Sequence, residues 1–143
     1  MRVMAVDYGD ARTGVAVSDQ SATLTGFARV IHESVQSTVA QMIAAEASSR
    51  DVSVIVVGNP INMNGTAGPR SEKSGQLAEI LRGLCNIEVV LWDERLTTMS
   101  AHRILTDTGK HGKKRKNSVD AVAASLILES YLRFIAQGAG RRE

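Results

Sequence analysis

The chain has 143 residues, 43% of them hydrophobic and 22% charged, with a formal net charge of +2. That length suits one domain with a single sizeable core, and the one cysteine, Cys85, excludes an intrachain disulfide and a cysteine-based zinc cluster. Aromatic residues amount to 3%, too few for base-stacking platforms of the single-strand-binding kind; no apolar run approaches a membrane span and the N-terminus enters a strand without a leader-like pattern, so a cytoplasmic protein is expected.

The first predicted strand, Arg2 to Asp7, is apolar on both faces: Val3 and Ala5 alternate onto the side of Asp7, Met4 and Val6 onto the other. It reads as a central strand buried on both sides. A carboxylate at the exit of such a strand is expensive to bury without a cation, which makes Asp7 the residue to explain. The connection Tyr8 to Thr13 is short enough for an antiparallel hairpin, with Gly9 and Gly14 available for positive φ, and a second strand follows over Gly14 to Asp19. Thr25 to Ile31 fits either a third strand of a meander or an irregular loop.

From Val35 the period becomes helical, with Val35, Val39, Met42, Ile43 and Ala47 on one stripe and Ser34 or Ser37 as the cap. Val52 to Val57 is a β-branched run stopped by Gly58-Asn59-Pro60, hence a buried strand. Asn59 to Gly68 reads as loop. Pro69 suits the first turn of the next helix, whose stripe is Leu77, Ile80, Leu81 and Leu84. Ile87 to Trp92 is another strand, ending in Asp93-Glu94-Arg95. Thr97 or Thr98 then caps a helix to about Leu105, Asp107 to Asn117 reads as a Gly- and Lys-rich loop, and Asn117 or Ser118 caps a last helix with Val119, Val122, Ala123, Leu126, Ile127 and Phe134 on its apolar face. Residues 1–136 make one domain and 137–143 a flexible tail. The order βββαβαβαα predicts an α/β fold with a mixed five-stranded sheet, three antiparallel strands and then two parallel ones, flanked by helices. A first strand that feeds a hairpin excludes the Rossmann pattern.

Three carboxylates fall where such a fold can gather them. Asp7 and Glu94 (with Asp93 beside it) end strands, and Asp120 opens the last helix, where the helix dipole favours its charge. Carboxylate oxygens suit Mg²⁺, and a pair of such ions can clamp the oxygens of a phosphodiester displacement. Each acid also has a structural reading: Asp7 as a turn residue, Glu94 as a surface partner of Arg95, Asp120 as a helix-start acid. Lys113, Lys114, Arg115 and Lys116 form a compact basic run, either a solvated loop or a phosphate-binding arm. Arg12, Arg70 and Arg95 are candidates for further phosphate contacts. Asp10, Asp19 and Asp107 read as turn residues, and His32, His102 and His111 lack ligand spacing, so zinc is not expected.

Taken together, Asp7-x-Gly9-x-x-Arg12-x-Gly14-x-Ala16-x-Ser18-Asp19, Gly58-x-Pro60, Asp93-Glu94-Arg95-Leu96-Thr97-Thr98 and Asp120-Ala-x-Ala-Ala124 with Ile127-Leu128 and Tyr131-Leu132 resemble the YqgF/RuvX family. The resemblance runs from about Arg2 to Leu132. It implies an RNase H-like fold and a nuclease using Mg²⁺ or Mn²⁺, with Asp7, Glu94 and Asp120 as metal-binding acids. The implied substrate is the 5′ end of pre-16S rRNA or branched DNA such as Holliday junctions, cut by a monomer or homodimer. RuvC resolvases carry a further acid one turn along the final helix. This chain has Ala123 there, so its site is expected to rest on three carboxylates. Two other classes compete: a non-catalytic nucleic-acid-binding protein on the same scaffold, and an ATP-handling relative of the sugar kinases, which needs two such domains where this chain supplies one.

Overall fold

The segments rich in β-branched and small apolar residues pair into one five-stranded sheet, comprising β1 (Arg2–Asp7), β2 (Arg12–Ser18), β3 (Thr25–His32), β4 (Val52–Asn59) and β5 (Glu88–Asp93). The structure is a computed structural model and describes residues 1–96 and 112–141, with the side chains of residues 1–95 and 121–138. The strand order is β3-β2-β1-β4-β5. β1 pairs antiparallel with β2 and parallel with β4; β2–β3 is antiparallel and β4–β5 parallel. The expected mixed sheet is therefore present, and Thr25 to His32 is a strand. Val3, Met4, Ala5 and Val6 of β1 are all fully buried, as a central strand requires.

Alternation divides the core in two. On one face Met4, Val6, Ile55 and Val57 pack against Ile43 of α1 (Gln36–Ser49) and Leu77 and Leu81 of α2 (Pro69–Leu84). On the other, Val3, Ala5, Val54 and Val56 meet Ala124, Ile127 and Leu128 of a long helix, α3 (Gly112–Arg141). Each large side chain removed from water in this way contributes roughly 1.5–3 kcal/mol. A short 3₁₀ turn, Glu94–Leu96, follows β5. Among the described residues, no helix is long and apolar enough to cross a membrane.

Several local expectations are corrected. Val35 holds the N-cap position of α1 without a side-chain cap, so neither Ser34 nor Ser37 caps it. The Glu33 carboxylate instead accepts the backbone N–H groups of Ser34 and Val35, both at 3.0 Å, and fixes the turn into the helix. Neither Gly9 nor Gly14 has positive φ; among the described glycines that conformation belongs to Gly65, at 87°. Gly14 sits within β2, and Gly9 serves close approach, because a Cβ there would collide with the Arg12 carbonyl oxygen. Helix α3 begins at Gly112, so residues 112–117 are helical where a loop was expected, and the Asn117 or Ser118 cap does not mark its start. Lys and Arg are good helix formers, and no proline follows Gly112 to stop the turn. Helix α3 also runs on from Gln137 to Arg141 where a tail was expected. The helix expected from Thr97 or Thr98 to Leu105, and the start of the loop at Asp107, lie outside the described residues.

Strand β3 is tied to α1 by Glu46, whose carboxylate accepts Arg29 Nε at 2.7 Å and Arg50 Nε at 2.6 Å. Burial pushes its pKa up, but the hydrogen bonds and charges of the two arginines outweigh this and hold it below the ordinary glutamate value of 4.5. A depressed folded pKa gives stability that is complete above the unfolded value and is lost as pH falls through the folded one. Urea unfolding should therefore show wild-type stability declining below about pH 4.5 more steeply than that of Glu46→Gln, and superimposable slopes would contradict this role.

Candidate active site

Asp7 ends β1 on the face covered by α3, the side of Val3 and Ala5. Its Oδ1 is buried. Two glycines flank it on that face. Gly14 pairs with it directly across β2, and Gly58 follows the Val6–Val57 pair on β4. Neither neighbour carries a side chain that would cover the carboxylate.

Glu94 reaches the same place from the other side of β4. It is the first residue after β5, and its carboxylate lies over the backbone of Gly58. A Cβ on Gly58 would come within 2.8 Å of Glu94 Oε2 and 2.7 Å of Ile127 Cδ1. The missing side chain is thus the space that Glu94 and Ile127 occupy. Burial pushes the Glu94 pKa up; the Arg70 charge acts against that rise and the Asp93 charge adds to it.

The adjacent acid is committed elsewhere. Asp93 accepts Arg95 Nη2 at 2.7 Å, Arg95 Nε at 2.9 Å through its second contact, and the Arg95 backbone N–H at 2.9 Å. This pairing holds Asp93 below the ordinary aspartate range and takes up the charge of Arg95. Of the two neighbouring acids, Glu94 joins Asp7. The surface pair is Asp93 with Arg95, not Glu94 with Arg95.

Strand β5 is clamped to α3 by Trp92, which lies opposite Gly58 and so on the same face. Its indole Nε1 donates to Ser130 Oγ at 3.1 Å, and its ring meets Tyr131 edge-on at 5.3 Å and 87°. Ile127 reaches Gly58 near the strand ends, whereas Leu132 and Ile135 lie with Val54 and Glu88 near the strand starts. The N-terminal direction of α3 therefore leads to the Asp7 end of the sheet. Asp120 stands one turn before the buried Ala124, at the spacing of that stripe, and its side chain lies outside the described residues. Among the described residues Asp7 and Glu94 are brought together, and no set of three metal-ligating side chains is formed.

A divalent cation fits what is present. The donors are carboxylate oxygens without nitrogen or sulfur, the set preferred by Mg²⁺ and Mn²⁺. Two acids converge where burial already disfavours the charge of one, and a cation offsets that penalty.

Of the predicted phosphate ligands, Arg12 opens β2, half-buried and on the face of Asp7 by alternation. Arg70, exposed in the first turn of α2, exerts its charge on both Glu94 and Asp10. Two contacts hold that turn in place: Ser71 Oγ donates to Asn59 Oδ1 at 2.5 Å, and Lys73 Nζ pairs with Asp10 Oδ1 at 2.9 Å. Asp10 read only as a turn residue in the sequence, because its partner is distant in the chain. Lys113, Lys114, Arg115 and Lys116 fall in the first turns of α3, and their side chains lie outside the described residues.

A sheet of this order with α3 across the Asp7 face and carboxylates at the strand ends defines an RNase H-like α/β protein. A family model described as "RuvX: Holliday junction resolvase" matches residues 1–134, and the chain belongs to that family. A curated protein of Ruminiclostridium cellulolyticum is 39% identical over 137 residues, covering 95% of this chain and 96% of its own. One of Bacillus cytotoxicus is 43% identical over 134 residues, covering 92% and 98%. Both bear the name "Putative pre-16S rRNA nuclease". Among solved structures, T. thermophilus RuvC in complex with a Holliday junction substrate shares the fold with a TM-score of 0.62 at 13% identity, over 94% of this chain and 96% of that one. Fowlpox virus resolvase with its substrate Holliday junction DNA does so with a TM-score of 0.57 at 11% identity, over 94% and 99%.

The crowding over Gly58 gives a direct test. In Gly58→Ala the new methyl group meets only the ends of two flexible side chains, so the fold should survive with a loss of about 1–3 kcal/mol. Glu94 must move, and Mn²⁺ binding should weaken far more than thermal stability. A variant that keeps wild-type Mn²⁺ affinity would contradict the placement of Glu94.

Proposed function

We propose that the chain is a divalent-metal-dependent nuclease that hydrolyses phosphodiester bonds, acting at the 5′ end of pre-16S rRNA or on branched DNA. The observation that carries this reading is the approach of the Glu94 carboxylate to the Asp7 end of β1 across the bare backbone of Gly58. The names of relatives that match over nearly their whole length support the nuclease class.

In this reading Asp7, Glu94 and Asp120 hold Mg²⁺ or Mn²⁺. When bound, the cation supplies Lewis-acid stabilisation to a phosphoryl centre that gains negative charge as it reacts. The chain's own groups position the substrate. Arg70 and Arg12 bind non-bridging phosphate oxygens. Arg95, its charge shared with Asp93, contributes shape more than charge. Lys113, Lys114, Arg115 and Lys116 attract the polyanion from the start of α3. Ile127 and Trp92 close the floor of the site beneath Glu94 and limit water there. The protein works in the cytoplasm on nucleic acid, as a monomer or homodimer.

Cleavage assays on a pre-rRNA leader, a four-way junction and a single strand, each with Mg²⁺ or Mn²⁺, test this. Wild type should cut at least one of them and Asp7→Asn should fall to background. Equal cutting by the variant would remove Asp7 from the reaction, and tight binding without any cutting would return the chain to the class of non-catalytic nucleic-acid binders.

A further inference from the structure

Next to the carboxylates, the loop between β4 and α2 encloses a cavity of about 450 Å³, walled in part by Pro60, Ile61, Met63, Pro69, Arg70 and Glu94. Its volume falls within the range of small-ligand sites. The wall is divided in character: Pro60, Ile61, Pro69 and the Met63 thioether are apolar, while Arg70, Arg95 and Glu94 bring two guanidinium groups and a carboxylate. Met63, at 89%, is the most exposed large apolar side chain among the described residues. A thioether adapts readily to the face or edge of a flat ring.

The loop is built before any ligand arrives. Asn62 N–H donates to the Thr66 carbonyl at 3.0 Å, and Gly65 N–H donates to the Asn62 carbonyl at 2.8 Å. Thr66 adds two contacts to Asn64 Oδ1, from its N–H at 3.1 Å and its hydroxyl at 2.7 Å. Gly65 takes the positive φ this turn requires. A preformed wall lowers the ordering penalty on binding. Among the described residues Arg70 makes no ion pair, unlike Arg95, so its charge is directed to the cavity and its carboxylate neighbours.

We propose that this cavity takes one unpaired nucleotide of the substrate strand, its base against Ile61 and Met63 and its phosphate toward Arg70. The proposal rests on the reading of Asp7 and Glu94 as the reaction centre, because Glu94 belongs to both sites and so sets the nucleotide beside the phosphate to be cut. A base stacked within a duplex cannot enter a concave site until it leaves the stack. The substrate is therefore a strand carrying an unpaired or extruded nucleotide next to the scissile bond, and a continuous duplex is a poor one. Ribonucleotides and deoxyribonucleotides present the same base and phosphate to this wall.

The test uses matched RNA and DNA oligonucleotides with an unpaired nucleotide beside the cut, and the same strands made abasic at that position. Wild type should cut the base-bearing strand at least tenfold better in kcat/KM than the abasic one, and in Met63→Ala that ratio should collapse toward one while Met63→Leu preserves it. Comparison of the RNA and DNA arms identifies which strand is the better source. Docking is read independently of cleavage with 2-aminopurine at the unpaired position, bound to the otherwise wild-type Asp7→Asn protein. Its fluorescence should change on binding, and the change should be lost when Met63→Ala is added. Equal cutting of base-bearing and abasic strands, a ratio untouched by Met63→Ala, or 2-aminopurine that binds without a fluorescence change would overturn the proposal. Absence of cleavage together with a Met63-dependent fluorescence change would preserve the pocket and overturn the reaction centre.

Discussion

The Glu94 carboxylate and the Ile127 methyl group occupy the space over Gly58 that a side chain would fill, and the candidate site depends on that space. β4 lies between the strands that deliver Asp7 and Glu94, so any side chain on its upper end would separate the acids. Glycine there leaves a gap one residue wide. Ile127 closes it from α3 and Glu94 enters it from β5. The same space joins hydrophobic packing to chemistry, since the buried face that anchors α3 also limits where the carboxylate can go.

That arrangement is electrostatically unfavourable as it stands. Burial raises the Glu94 pKa and its neighbour Asp93 raises it further, against which the exposed Arg70 gives only partial relief. Asp93 is removed from the competition by Arg95, which holds it in its ionised form outside the cluster. The chain thus spends one arginine on keeping the wrong acid occupied. Electrostatics of this kind are common at functional sites, and a cation bound there would offset the penalty.

Much of this was legible in the sequence because local signals agreed with the global fold. The apolar run ending in Asp7, the β-branched run stopped by Gly58-Asn59-Pro60, and Pro69 at the first turn of α2 all read as they fold. The choice between Asp93 and Glu94 did not, since it depends on strand alternation and the 3₁₀ turn that follows. Nor did the partnership of Asp10 with Lys73, whose members are 63 residues apart. Gly58 was visible only as the stop of a β-branched run and the first residue of the Gly58-x-Pro60 turn. Its role as shared space appears once α3 is laid on the sheet. The start of α3 did not read as helix because glycine and a charged run suggest a loop, although Lys and Arg also favour helix.

In the proposed site Glu94, and not the adjacent Asp93, joins Asp7 in holding the cation. Calorimetric titration of Mn²⁺ into wild type, Glu94→Gln and Asp93→Asn tests this directly. Binding should be lost or severely weakened in Glu94→Gln and close to wild type in Asp93→Asn. Wild-type affinity in Glu94→Gln, or loss confined to Asp93→Asn, would contradict the claim.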